Sequence, residues 1–199
     1  MAKAKAAKQP DLSEETLLWK QSGVFVFGVD EAGRGCLAGP VCAAVACWNP
    51  CETSPVPVRD SKLMKEAERE LCFEPIRSQA LSFGVGFGSR EEIDRWNILK
   101  ANYLAVARAI ECALGQLGAR AQQGRFVFLT DGNHPLVTRS RFFAESAEYA
   151  NEFPLLRALF RKGFEEKCIV KGDSKVFSIA SASVLPVNRV GTSFLMAPA

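Results

Sequence analysis

Apolar positions along the chain fall into two patterns. Short, nearly unbroken runs of β-branched, aromatic and small apolar residues lie at 24–29 (Val24, Phe25, Val26, Phe27, Gly28, Val29), at 41–48, at 81–87 and at 126–129. Runs of that length without a helical period read as buried strands. The first three succeed one another without an intervening long helix, which predicts an antiparallel meander. Elsewhere the spacing changes. Ile93, Ile98, Leu99, Leu104, Val106, Ile110 and Leu114 form an apolar stripe, so a long helix is predicted to open at Glu91-Glu92-Ile93-Asp94 and to end at Gly115 and Gly118. Asp11, with Glu14 three places on, predicts a capping box for a short helix through Leu17, Leu18 and Trp19. Asp60 or Ser61 is placed to start a surface helix. Residues 135–166 mix charge with Phe142, Phe143, Tyr149, Phe153, Phe160 and Phe164, and predict one or two helices covering the sheet. The small residues among 178–183 predict a last helix that packs closely on the strands.

The ends of these strands carry the candidate chemistry. The first runs into Asp30 and Glu31 and then into the glycine-bracketed Gly33-Arg34-Gly35; the fourth ends in Asp131 followed by Gly132. Acids anchored at a sheet edge can bind a divalent cation, and glycines beside them let a sugar-phosphate chain approach the backbone. Adjacent residues of a regular strand point to opposite faces, so joint ligation by Asp30 and Glu31 demands that the strand end or bulge between them, as Gly33 permits. The cysteines and the lone histidine, His134, offer no zinc set, and His134 reads as a polar surface residue beside a turn. Arg139, Arg141, Arg157, Arg161 and Lys162 fit phosphate contacts and a solvated helix face equally well.

Size and composition narrow the class without deciding it. With 199 residues, 48% of them apolar, the chain has enough material for one domain with a sizeable core. A net charge of +3, from 25 basic and 22 acidic side chains, is compatible with a nucleic-acid partner but too low for a purely electrostatic binder. Seven cysteines, odd in number and without a Cys-x-x-Cys pair, point to reduced, mostly buried thiols and hence to the cytoplasm. No stretch has the length to span a bilayer, and the Ala/Lys-rich residues 1–10 lack the apolar core of a secretion signal.

The run GVDEAGRGCLAGPV at 28–41 resembles the opening signature of ribonuclease HII, the type 2 ribonuclease H family. Further segments are similar to the same family: a DSK-L element at 60–63, EEIDRWNILKAN at 91–102, a DG-N element at 131–133, and the KGD-S and SIA-AS elements within 171–183. The resemblance implies an α/β ribonuclease H-like fold, a mixed five-stranded sheet flanked by helices, with the strand of Asp131 beside the first. It implies an endoribonuclease that hydrolyses the RNA strand of RNA-DNA hybrids and ribonucleotides embedded in duplex DNA, leaving 5′-phosphate and 3′-hydroxyl ends. Asp30, Glu31, Asp131 and Asp173 become its catalytic metal ligands, holding Mg2+ or Mn2+, two ions roughly 3.5 to 4 Å apart in the usual phosphodiester chemistry. Gly33, Arg34 and Gly35 line the ribonucleotide site, Lys171 touches a phosphate, and Asn97 approaches the active site; the expected assembly is a monomer. Ser181 and Ser183 read as residues buried through their small size.

The likeness covers residues 28–185 and then stops. Where the family continues its helix with an AK-V-RD pattern, this chain has Pro186, which is expected to break it, and Tyr103 and Tyr149 do not match the family's junction-stacking tyrosine. The expected organisation is an N-terminal arm and short helix at 1–22, a catalytic domain at 23–185 and an atypical tail at 186–199, read as a truncated or frame-shifted end. The alternative function is a catalytically impaired, nucleic-acid-binding remnant of the family.

Overall fold

A computed structural model describes residues 9–33 and 39–187, with only the backbone of residues 186 and 187. Arg34, Gly35, Cys36, the first eight residues and the tail from residue 188 lie outside the described residues. Five strands, β1 (Val24–Ala32), β2 (Val41–Cys47), β3 (Ser82–Gly88), β4 (Arg125–Asp131) and β5 (Glu165–Ile169), form one sheet in the order β3-β2-β1-β4-β5. β1, β2 and β3 pair antiparallel, whereas β4 lies parallel to β1 and β5 parallel to β4. The expected antiparallel pairing of the first three strands and the expected neighbour of β1 are both present, and the mixed five-stranded sheet flanked by helices is that of the ribonuclease H-like α/β class.

Strand alternation assigns the two faces. Phe27 and Val29 of β1 and Phe126 and Phe128 of β4 point to one side, where they pack with Leu104, Val106 and Ile110 of the long helix α4 (Ile98–Leu117). Each of these phenylalanines is almost fully buried, worth roughly 1.5–3 kcal/mol of transfer free energy apiece. Phe27 and Phe128 stack with ring centroids 5.2 Å apart. A one-turn helix, α5 (Arg120–Gln123), leads into β4, and two further helices, α6 (Leu136–Ala144) and α7 (Pro154–Lys162), finish this cover with Phe143, Tyr149, Phe153 and Phe160, as the aromatic spacing predicts. On the opposite face Val26, Val127 and Leu129 meet Ile179 of α8 (Phe177–Val187). α8 lies almost on the strand: a Cβ at Gly28 would fall 2.0 Å from the Ser178 backbone carbon, so only glycine fits there. Two buried serines keep α8 narrow, Ser181 and Ser183 turning their hydroxyls onto its own carbonyls at Phe177 and Ala180.

Several local expectations are corrected. The helical stripe is not one helix: α3 (Arg90–Trp96) and α4 meet at Asn97, whose left-handed backbone (φ 69°) breaks the run and whose side chain accepts from Leu99 N and Lys100 N. A 14-residue helix, α2 (Glu66–Gln79), stands between β2 and β3, so their antiparallel pairing is not a tight meander turn. Asp60 and Ser61 give only a single 3₁₀ turn, Ser61–Leu63, in which the Asp60 carboxylate accepts from Lys62 N. Asp11 accepts from Ser13 N ahead of α1 (Ser13–Trp19), but Glu14 pairs with Lys167 instead of closing a box. Pro186 does not stop α8, which runs through it to Val187, just as α2 accommodates Pro75 near its own end. β5 has no apolar run to announce it. Cys42, Cys47 and Cys72 are buried, Cys51 and Cys168 half-buried and Cys112 exposed. Among the described residues no helix is long and apolar enough to cross a membrane.

Candidate active site

The parallel register of β1 and β4 puts two acids side by side. Val29 pairs with Thr130, and the next residues, Asp30 and Asp131, both belong to the face covered by α8. Asp30 is 6% exposed. Asp131 is held by the turn that follows β5, its Oδ1 accepting from Gly172 N at 2.6 Å. That turn opens at Lys171, exposed and in the left-handed region (φ 56°), and carries Asp173, which is 4% exposed. Three of the four expected acids therefore share one corner.

Burial and neighbouring charge shift two of the three. Burial, then the negative charges of Asp131 and Asp173, push the Asp30 carboxyl well above the usual carboxylate range, against the Glu31 N–H and Lys62. Asp173 is raised by burial, by Asp131 and by Asp60, with Lys62 opposing. Lys62 Nζ donates to Asp173 Oδ2 at 3.4 Å, and although partial burial lowers its pKa, the charges of Asp173 and Asp30 raise it further. The Lys62 side chain is otherwise 76% exposed, an ammonium reaching in from the 3₁₀ turn toward a surplus of negative charge.

Glu31 is placed differently. Pairing with β2 continues without a bulge through Asp30 opposite Ala44, Glu31 opposite Ala43 and Ala32 opposite Cys42. The expected break between the two acids is absent, because the β2 ladder satisfies the backbone of β1 beyond Glu31. Glu31 consequently turns to the α4 face, where its Oε2 accepts from the side-chain amide of Asn102. Gly33, just past the strand, has φ 90°, and a Cβ there would lie 2.9 Å from the Pro40 carbonyl oxygen, so the chain stays bare at that point.

Among the described residues, no three histidine, cysteine, aspartate or glutamate side chains are gathered tightly enough to hold a metal ion as they stand. The donor set nevertheless fits a hard divalent cation. It consists of carboxylate oxygens, two of them on buried residues whose charged forms are disfavoured by burial and by the charge of Asp131, and among the described residues the Lys62 ammonium stands beside them in partial compensation. Asp30, Asp131 and Asp173 would contribute from the α8 face, and Glu31 from around the end of β1.

Two residues of this corner escape a reading of the sequence. Lys62 belongs to a segment that reads as a surface helix, and its partner is 111 positions away. Asn102 had a usable signal: it is an amide inside the buried stripe of α4. Asn97, by contrast, spends its side-chain oxygen on capping α4. His134 is exposed, as expected of a surface residue. Of the scattered bases, Arg157 donates to the Ala144 and Ala150 carbonyls, Lys162 to those of Ala121 and Gln122, and Arg141 pairs with Glu145 at 3.6 Å.

Comparison with known proteins points one way. The family model described as Ribonuclease HII matches residues 27–119. Ribonuclease HII of Albidiferax ferrireducens is 37% identical over 178 residues, 88% of this chain and 69% of that protein. Ribonuclease HII of Clostridioides difficile is 36% identical over 164 residues, 81% of this chain and 51% of the relative. The chain thus spans from about half to about two thirds of the length of such curated relatives. Among solved structures, Bst-RNase HIII in complex with Mn2+ superimposes with a TM-score of 0.60 at 17% identity, over 95% of this chain and 58% of that one. Archaeoglobus fulgidus RNase HII, solved in its complex with PCNA, gives a TM-score of 0.53 at 21% identity, over 83% and 72% of the two chains. These structural likenesses establish a shared fold.

Proposed function

Because the chain belongs to the ribonuclease HII family, we propose that it is a divalent-metal-dependent endoribonuclease acting on RNA-DNA hybrids and on ribonucleotides embedded in duplex DNA, leaving 5′-phosphate and 3′-hydroxyl ends. The observation that carries this reading is the corner of Asp30, Asp131 and Asp173, three carboxylates from separate parts of the chain, where burial and the charge of Asp131 raise the proton affinity of Asp30 and Asp173 and the Lys62 ammonium reaches in to Asp173. Such an arrangement costs stability and is retained where a cation is to be bound.

In this reading Asp30, Glu31, Asp131 and Asp173 hold Mg2+ or Mn2+. Bound ions of that kind supply an activated water and offset the charge that builds up on a phosphodiester during hydrolysis. The protein's own groups do the rest. Asp131, whose Oδ1 accepts from Gly172 N, and Asp173, held by its turn and by Lys62, are restrained at one corner of the sheet. Lys62, largely exposed beside that place, meets an incoming anionic strand and leaves Asp173 free to serve an ion. Gly33, bare and in the left-handed region, lets the backbone at that point approach a ribose closely enough to distinguish a 2′-hydroxyl, Arg34 and Gly35 belong to the same site by the family resemblance, and exposed Lys171 contacts a phosphate. We place the protein in the cytoplasm, acting as a monomer.

The test is a duplex DNA carrying one ribonucleotide, incubated with the purified chain in Mg2+. Cleavage beside the ribonucleotide that disappears on chelation, and that falls by about 10³-fold or more in Asp30→Asn, is expected if the acids act through bound metal. A folded sample that leaves the duplex intact with both Mg2+ and Mn2+ contradicts the proposal.

A further inference from the structure

Asn102 is a buried amide with an unusual neighbourhood. The other buried members of α4 are alanines, leucines, valine, isoleucine and Tyr103, and Asn102 itself is 0% exposed. Its Nδ2 donates to Glu31 Oε2, while its Oδ1 has no hydrogen-bond partner among the described residues. An ionised carboxylate can only accept, so the orientation of the amide is dictated by Glu31. Packing does not account for such a residue. A leucine of the same branching would pack among these apolar neighbours without an unmet carbonyl, and buried polar groups left unpaired are rare. What the amide provides is a single N–H aimed at one oxygen of Glu31.

Glu31 is the acid that needs such help. Strand alternation sends it to the α4 face while Asp30 faces α8, so it can share an ion with the other three only from the end of β1. A glutamate side chain has three rotatable bonds, and a hydrogen bond to one of its carboxylate oxygens narrows the directions it samples. We propose that Asn102 is a positioning residue for the metal centre: it acts through Glu31, fixing the direction in which that carboxylate is offered around the end of β1. This inference rests on the reading of Asp30, Glu31, Asp131 and Asp173 as metal ligands. The amide touches no reacting atom, and its influence is exerted on ion affinity.

The experiment is calorimetric titration of the metal-free full chain with Mn2+, paired with thermal unfolding. Asn102→Leu is expected to weaken Mn2+ binding by about 10-fold or more, the range seen when groups that orient metal ligands are removed, while Tm stays level or rises. In a Glu31→Ala background the same change should weaken binding less than about two-fold, because nothing remains for the amide to orient. Should Asn102→Leu fail to fold, Asn102→Ser and Asn102→Ala ask the same question, the serine keeping a donor and the alanine losing it; tighter binding by the serine variant is expected. Equal affinity in wild type and Asn102→Leu, equal affinity in the serine and alanine variants, or equal weakening in both Glu31 backgrounds overturns this inference alone. A folded wild type that binds no Mn2+ overturns the metal-centre reading on which it stands.

Discussion

Asp30 and Glu31 are consecutive residues on one unbroken strand, yet they sit in opposite kinds of surroundings. On the α8 face Asp30 joins Asp131 and Asp173, under a helix narrowed by small residues and beside a turn opened by the left-handed Lys171. On the α4 face Glu31 ends a column of packed side chains, Phe27 and Val29 below it, and meets one amide in an apolar wall. One face concentrates charge and the other disperses it. The contrast teaches that this site is built around the end of a strand, not on one side of a sheet. Period-two alternation distributes the ligands, and the covering helices decide how each is held.

The comparison can be sharpened first on the crowded face. Asp131→Asn removes a charge that raises both Asp30 and Asp173 but keeps an oxygen that can accept from Gly172 N. Without metal this variant is expected to be more stable than wild type by on the order of 1–2 kcal/mol, a rise of a few degrees in Tm, while cleavage is lost. Thermal unfolding in chelator checks it, and a lower Tm would mean that the three carboxylates do not repel one another in the folded chain.

A smaller effect is expected where α8 meets a buried acid remote from that crowd. Glu15 of α1 is 0% exposed and accepts from Ser178 N at 2.7 Å. Burial raises its pKa, against the Ser178 hydrogen bonds, and Asp11 adds to the rise. A carboxyl raised in the folded state contributes stability that is fully present below the unfolded value, about 4.3, and is lost as pH rises through the folded value. Glu15→Gln, which cannot ionise, is therefore expected to gain Tm on wild type between pH 4 and pH 7, by an amount corresponding to about 1 kcal/mol or less. Tm measured across that interval decides; a difference that does not grow with pH would show that Glu15 carries no burial penalty.

How far this could be read in advance depended on whether the signal was local. Asp30, Glu31 and Asp131 announce themselves because an apolar strand that runs into a carboxylate and then a glycine is a pattern within about ten residues. Asp173 emerged only through the resemblance of its segment, and so did the sheet's fifth strand, since β5 is a polar edge strand with no hydrophobic run. The split at Asn97 was hidden because its left-handed conformation leaves the apolar period on both sides intact. Lys62 and Asn102 depend on partners 111 and 71 positions distant, which no spacing rule reaches. The supposed bulge failed for a similar reason: glycine at 33 permits an interruption, but six paired positions with β2 hold the strand regular through Ala32.

The most direct measurement is a crystal of the metal-free chain soaked in Mn2+ and recorded at the manganese absorption edge. An anomalous peak within coordination distance of Asp30, Asp131 and Asp173, with the Glu31 carboxylate turned toward it from the end of β1, is the expected result. Anomalous density confined to other acidic surfaces, with the corner of Asp30 empty at saturating Mn2+, would contradict the account.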